Sequence, residues 1–116
     1  MIKQKLAILL DSNIIDTDTY QYVLDVINYL LENQVIAEVD DADVFLTHLA
    51  MAHYRQKTGE IVNRLDEDFM IQIIEDENYQ KALEVWADIK DMTKITFAES
   101  ELGFFYMHLL TLLKEW

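Results

Sequence analysis

His48 and His108 are the residues of this chain whose type and surroundings suit group-transfer chemistry. His48 lies in VFLTHLAMAHYR, with Arg55 seven residues on. His108 lies in ESELGFFYMHLLTLL, with Glu101 seven residues back. Seven residues is about two helical turns, so on helices each histidine shares a face with one charge. A neutral imidazole is nucleophilic near pH 7 and can accept a phosphoryl group on a ring nitrogen. Arg55 would supply the cation such a group needs, and Glu101 could pair with Arg55 or orient a ring N–H. Phosphorylation adds about two negative charges, enough to rearrange a packed helix interface. The same spacing also suits core histidines bonded to backbone carbonyls, and spacing alone leaves both readings open.

His53 lies five residues after His48, roughly 140° around a helix. It should point away from His48, and it reads as a surface or rim residue. Metal chemistry has little support. There is no His-Glu-x-x-His, and Phe45 and Phe105 stand where a Glu-x-x-His pattern would need glutamate. The carboxylates of Asp40-Asp41-Asp43, Asp66-Glu67-Asp68 and Glu75-Asp76-Glu77 cluster at expected helix starts and turns, where caps and solvation account for them. No glycine-rich phosphate loop, nucleophile elbow or EF-hand loop is present. No cofactor is implied.

Helices must position these residues. The chain has no proline and only two glycines, Gly59 and Gly103, so few positions break a helix. Five amphipathic segments are expected. The first runs from Ile2 to Leu10 and is broken by Asp11-Ser12-Asn13. The second runs from about Thr17 to Asn33, capped by Asp16, with Tyr20, Val23, Leu24, Ile27, Leu30 and Leu31 recurring at helical period. The third runs from about Asp41 to Thr58, with Phe45, His48, Leu49, Ala52 and Arg55 along one stripe and Gly59 as its stop. A shorter helix, about Asp66 to Glu75, interrupts the next connection. The fourth runs from about Glu77 to Met92, with Tyr79, Ala82, Leu83, Trp86 and Ile89 as its apolar face. The fifth starts at Thr96, where Thr96-Phe97-Ala98-Glu99 fits a capping box, and continues to the chain end. Its inner side carries Phe97, Glu101, Phe104, Phe105, His108, Leu109 and Leu112. Trp116 at the end could support a dimer contact. Short connections between antiparallel neighbours make a compact, all-α five-helix bundle.

Composition narrows the function classes. The 116 residues suffice for one domain with a real core, and a 52% hydrophobic content excludes disorder. Cysteine is absent, so disulfides and thiolate metal sites are excluded. No apolar run approaches the roughly 18 residues of a membrane span, and the opening MIKQKLAILLDSN does not read as a signal peptide. A cytoplasmic location is expected. The formal charge of −13, from 22 acidic and 9 basic residues, would repel a phosphate backbone, so direct nucleic-acid binding is not expected. The acidity suits a solvated surface, or complementarity to a basic protein partner.

From Phe45 to Leu113 the sequence resembles the PTS regulation domain, or PRD, a module of bacterial sugar regulators. His48-Leu49 followed by Arg55 and Gly59 is similar to one family motif. Tyr79 to Ile89 is similar to the family's helix containing Tyr-x-x-Ala. Glu101-Leu102-Gly103-Phe104-Phe105-Tyr106-Met107-His108-Leu109 resembles the closing helix, where glutamate precedes a small residue and aromatics before histidine. Glu77-Asn78 stands before Tyr79 where many members have proline, so that turn departs from the pattern.

The resemblance implies a five-helix bundle that dimerises and is not an enzyme. It implies phosphorylation by the phosphocarrier HPr or by enzyme II components of the sugar phosphotransferase system. His48 and His108 match the phosphoacceptor positions, and Arg55 and Glu101 match supporting positions. Family members usually carry two modules behind an RNA-binding or DNA-binding domain. Residues 1–116 are expected to form one regulatory domain that acts in trans, through self-association or through a separate transcription regulator. The alternatives are a helical interaction module that no longer takes phosphate, and a small enzyme or metal protein.

Overall fold

Six α-helices and one 3-10 turn carry the chain in the computed structural model, which describes residues 1–114. The expectation for Trp116 lies outside the described residues. The helices are α1 (Ile2–Asp11), α2 (Thr17–Glu32), α3 (Asp43–Thr58), α4 (Glu67–Glu75), α5 (Tyr79–Lys90) and α6 (Glu99–Lys114), with a 3-10 turn at Val39–Ala42. No strand occurs among the described residues. The all-α expectation holds. The sixth helix is the short α4, anticipated within the long connection between α3 and α5. The radius of gyration is 13.8 Å, close to the roughly 13 Å of a folded 100-residue domain.

Helix ends follow local chemistry where the sequence signals it strongly. Asp16 caps α2, its carboxylate accepting from Thr19 N at 2.9 Å. Asp41 accepts from the backbone N–H groups of Ala37 and Glu38 and closes the 3-10 turn. Asp40 reaches further and accepts from Ile2 N at 2.8 Å, tying down the start of α1. Gly59 ends α3 in the left-handed region at φ +80, its N–H donating to Arg55 O. Asp76 closes the turn before α5, accepting from Asn78 N at 2.8 Å. That contact serves the turn where the resemblance expected proline.

The capping box anticipated at Thr96 does not form. Residues 95–98 are non-helical and α6 begins at Glu99. Phe97 turns inward instead and packs edge-on against Trp86 and Phe105. Ala98 N finds its acceptor on α3, at Gln56 Oε1, 3.1 Å away. Burying an aromatic ring outweighs one local cap, because the ring removes far more apolar area from water.

The helix α3 lies at the centre. It packs against α1, α2 and α6, while α6 also carries α4 and α5. Phe45, Leu46, Leu49, Ala50, Ala52 and His53 are all buried, so α3 is covered on more than the single stripe its sequence suggests. On α2 the buried face is rotated from the expected one: Tyr22 and Val26 are buried, while Tyr20, Leu24 and Leu31 are half-buried. Trp86 of α5 stacks on Phe105 of α6 with ring centroids 4.6 Å apart. Gly103 is buried where α6 meets α4 and the segment before it, and an added Cβ would lie 2.7 Å from Met70 Sδ.

Candidate functional site

The central position of α3 beside α6 brings the four singled-out residues into one cluster. His48 and His108 face each other with ring centroids 5.4 Å apart and planes nearly perpendicular. His48 Nδ1 lies 3.4 Å from His108 Nε2. His48 Nε2 lies 3.5 Å from Glu101 Oε1. Arg55 grips Glu101 at two points, Nη2 to Oε1 at 2.7 Å and Nε to Oε2 at 3.2 Å. The two-turn spacing therefore works across the helix pair: Arg55 meets Glu101, and His48 meets His108.

Glu101 is the electrostatic anchor. It is only 1% exposed, and a buried carboxylate is costly unless its lone pairs are filled. Three N–H groups fill them, two from Arg55 and one from Gln56 Nε2 at 2.8 Å. Gln56 also donates to Ala52 O and accepts from Ala98 N. It thus joins the buried carboxylate to the start of α6. Sequence reasoning missed Gln56, because a glutamine beside the conspicuous Arg55 carries no motif.

The two imidazoles are half-buried and held neutral at pH 7. Burial pushes His48 below the usual histidine range, further than Glu101 raises it, and Arg55 adds to the lowering. Burial, with His48 as its neighbour, brings His108 down to about 4. Neutral rings keep a lone pair available, as nucleophilic attack requires. Aromatic rings support both histidines: Phe104 and Phe105 lie beside His48, and Phe45 lies beside His108.

The pair opens into a shallow surface depression of about 510 Å³. Val44, Met51, Val62 and Phe104 give it apolar walls, and Lys5 and Arg55 give it two cations. Lys5 comes from α1 and bonds Asp43 Oδ1 at 2.6 Å and Thr47 Oγ1 at 3.2 Å. Nothing in the sequence connects Lys5 to the histidines, since only the fold brings α1 to the start of α3. The chemistry available here is attack by a neutral imidazole on an electrophile approaching from solvent, with cations near any anion that forms.

His53 departs from expectation. It does point away from His48, but it is fully buried rather than at the rim. Because α3 is central, its opposite side faces α2 and the α5–α6 connection instead of water. His53 Nδ1 lies 2.7 Å from Thr19 Oγ1 and Nε2 lies 2.9 Å from Thr93 Oγ1. Its ring stacks on Tyr22 at 4.5 Å. Both ring nitrogens are satisfied internally, which makes His53 a structural pin between helices.

Among the described residues, no group of three or more His, Cys, Asp or Glu is arranged to hold a metal ion. No helix there is long and apolar enough to cross a membrane.

The fold and the facing rings define an all-helical module built around a histidine pair. The family model of the PRD domain matches residues 21–112, and the chain belongs to that family. PRD domains are regulatory modules of the phosphotransferase system and interact with its components. No curated protein and no solved structure matches the chain.

Proposed function

We propose that residues 1–116 form one PTS regulation domain, phosphorylated on histidine at the His48–His108 pair. The donor is HPr or an enzyme II component in the cytoplasm. Arg55 and Glu101 are the supporting residues. The phosphorylation state sets self-association as a homodimer, or binding to a separate transcription regulator of carbohydrate-utilisation genes. The chain itself binds no nucleic acid on this reading.

The observation that carries the proposal is the contact between two rings that both line a depression open to solvent. A phosphoryl group there adds about two negative charges next to Glu101. Arg55 would then be contested between Glu101 and phosphate, which gives the α3–α6 interface two arrangements separated by one covalent event. Incubation with phosphorylated HPr, with and without an enzyme II, tests this. Acid-labile label mapping to the His48 or His108 peptides is the expected result. Label on neither histidine with every donor would sink the phosphorylation claim.

A second reading is a docking module that takes no phosphate. The apolar walls of the depression favour it, Val44 being 68% exposed beside Met51 and Phe104. Partner binding that survives a His48→Ala, His108→Ala double substitution unchanged would favour this version.

A further inference from the structure

We propose that within the pair His108 is the residue that takes the phosphoryl group, through Nδ1, and that His48 is a positioning residue linking His108 to Glu101. This rests on the histidine-phosphorylation reading above and assigns the reacting atom within it.

The assignment follows from counting donors and acceptors along the cluster. The Glu101 carboxylate can only accept hydrogen bonds. Facing it, His48 Nε2 must carry a proton for the 3.5 Å contact to be attractive. In a neutral ring that leaves His48 Nδ1 as an acceptor. His48 Nδ1 faces His108 Nε2 at 3.4 Å. Two lone pairs would repel there, so His108 Nε2 carries the proton. His108 Nδ1 then holds the only lone pair of the two rings not already directed at a partner. It makes no hydrogen bond among the described residues. Nor is it sealed, since the one buried, unpaired side-chain atom there is Ser100 Oγ. His48, by contrast, has both ring nitrogens directed at neighbours.

The step balances without moving a proton. The lone pair on His108 Nδ1 attacks the phosphorus of a phosphoimidazole donor. The new N–P bond forms as the donor's N–P bond breaks, and the donor ring takes back the electron pair. His108 becomes cationic as it bonds to phosphorus. Its Nε2–H can donate to His48 Nδ1, and His48 Nε2–H to Glu101, so that the carboxylate orients the rings and stabilises the cation without taking a proton, as in a catalytic triad. Both contacts are long in the resting state. Such contacts tighten when charge develops on the donor. Lys5 and Arg55 line the same depression and are the cations it offers to an anionic group.

The test is long-range ¹H–¹⁵N correlation of the imidazoles in the full chain, before and after incubation with phosphorylated HPr and an enzyme II. Before phosphorylation, both histidines are expected as the tautomer protonated on Nε2. Protonation of His108 on Nδ1 instead would overturn the assignment, without needing any variant. Afterwards, phosphorus is expected on His108 Nδ1. Phosphorus on His108 Nε2, or on His48, would overturn the assignment while leaving histidine phosphorylation intact. No phosphohistidine with either donor would overturn both. In a folded His48→Gln variant the label should still appear on His108, with its rate lowered by about tenfold to a hundredfold, the scale on which removal of a supporting partner acts. An unchanged rate would overturn the role given to His48.

Discussion

At the scale of single residues, Glu101 shows most directly that the site is built rather than filled. A carboxylate 1% exposed persists only because Arg55 and Gln56 saturate it. Arg55→Ala would strand that charge and is expected to cost about 3–5 kcal/mol in urea unfolding. Arg55→Met combined with Glu101→Leu should cost clearly less than the sum of the two single changes, because no buried charge remains. Additive losses in that double-mutant cycle would show that the ion pair does not couple the helices. Arg55→Lys should fall in between, since a lysine cannot make the two-pronged contact.

The histidines also tie stability to pH. Burial lowers His48, His53 and His108 below their ordinary range, His108 to about 4. The unfolded chain therefore binds protons that the folded chain refuses once pH drops below about 6.5. The stabilisation is complete above that value and is lost as pH falls towards the folded-state values. Unfolding free energies measured between pH 8 and pH 5 are expected to decline with falling pH. A flat profile would contradict the burial of the three rings. The charges facing His53 are Asp16, Asp18 and Lys57.

Helical spacing put each histidine on a face with one charge, and the resemblance to the PRD family singled out the same four residues, but that the two faces meet, Arg55 on Glu101 and His48 on His108, comes from the packing of α3 on α6. His53 was not legible. A single helix gives no sign that its far side will be covered too, and the two threonines that satisfy His53 come from distant segments.

At the scale of helices, caps decide the boundaries, and Asp16 and Gly59 are the clearest. Asp16 accepts from Thr19 and from Lys57, which also bonds Asp18. Burial alone would raise the Asp16 carboxyl, but these hydrogen bonds win and hold it at about 2. Asp16→Ala is expected to lower stability by about 1 kcal/mol, and Asp16→Asn by less, because asparagine still caps. Gly59→Ala forces a Cβ into the left-handed region and should cost about 1–2 kcal/mol, although nothing lies within 4 Å to clash with it. Thermal unfolding of the three variants checks these values. Both positions were readable because each acts within its own turn. The start of α6 was misread because the inward turn of Phe97 onto Trp86 and the Gln56 acceptor for Ala98 N are set by α5 and α3. A local motif cannot report partners supplied by other helices.

At the scale of the whole molecule, α3 joins two different constructions. One side, through His53, is pinned to α2 and to the α5–α6 connection by neutral hydrogen bonds. The other side, through His48, Arg55 and Gln56, meets α6 with charge and reactive nitrogen. His53→Ala should destabilise the fold by about 3–5 kcal/mol through lost packing and two orphaned hydroxyls, while any domain that remains folded keeps its response to phosphate. The all-α class was legible from the absence of proline and the helical periods. The central placement of α3 was not, since it emerges only once the other helices pack around it. The decisive measurement is phosphoryl transfer from phosphorylated HPr and an enzyme II to the intact chain, read by mass and by acid lability. Wild-type protein is expected to gain acid-labile phosphate, and folded His48→Ala, His108→Ala protein none. Equal labelling of the two proteins, or labelling of neither, would contradict a reactive histidine pair.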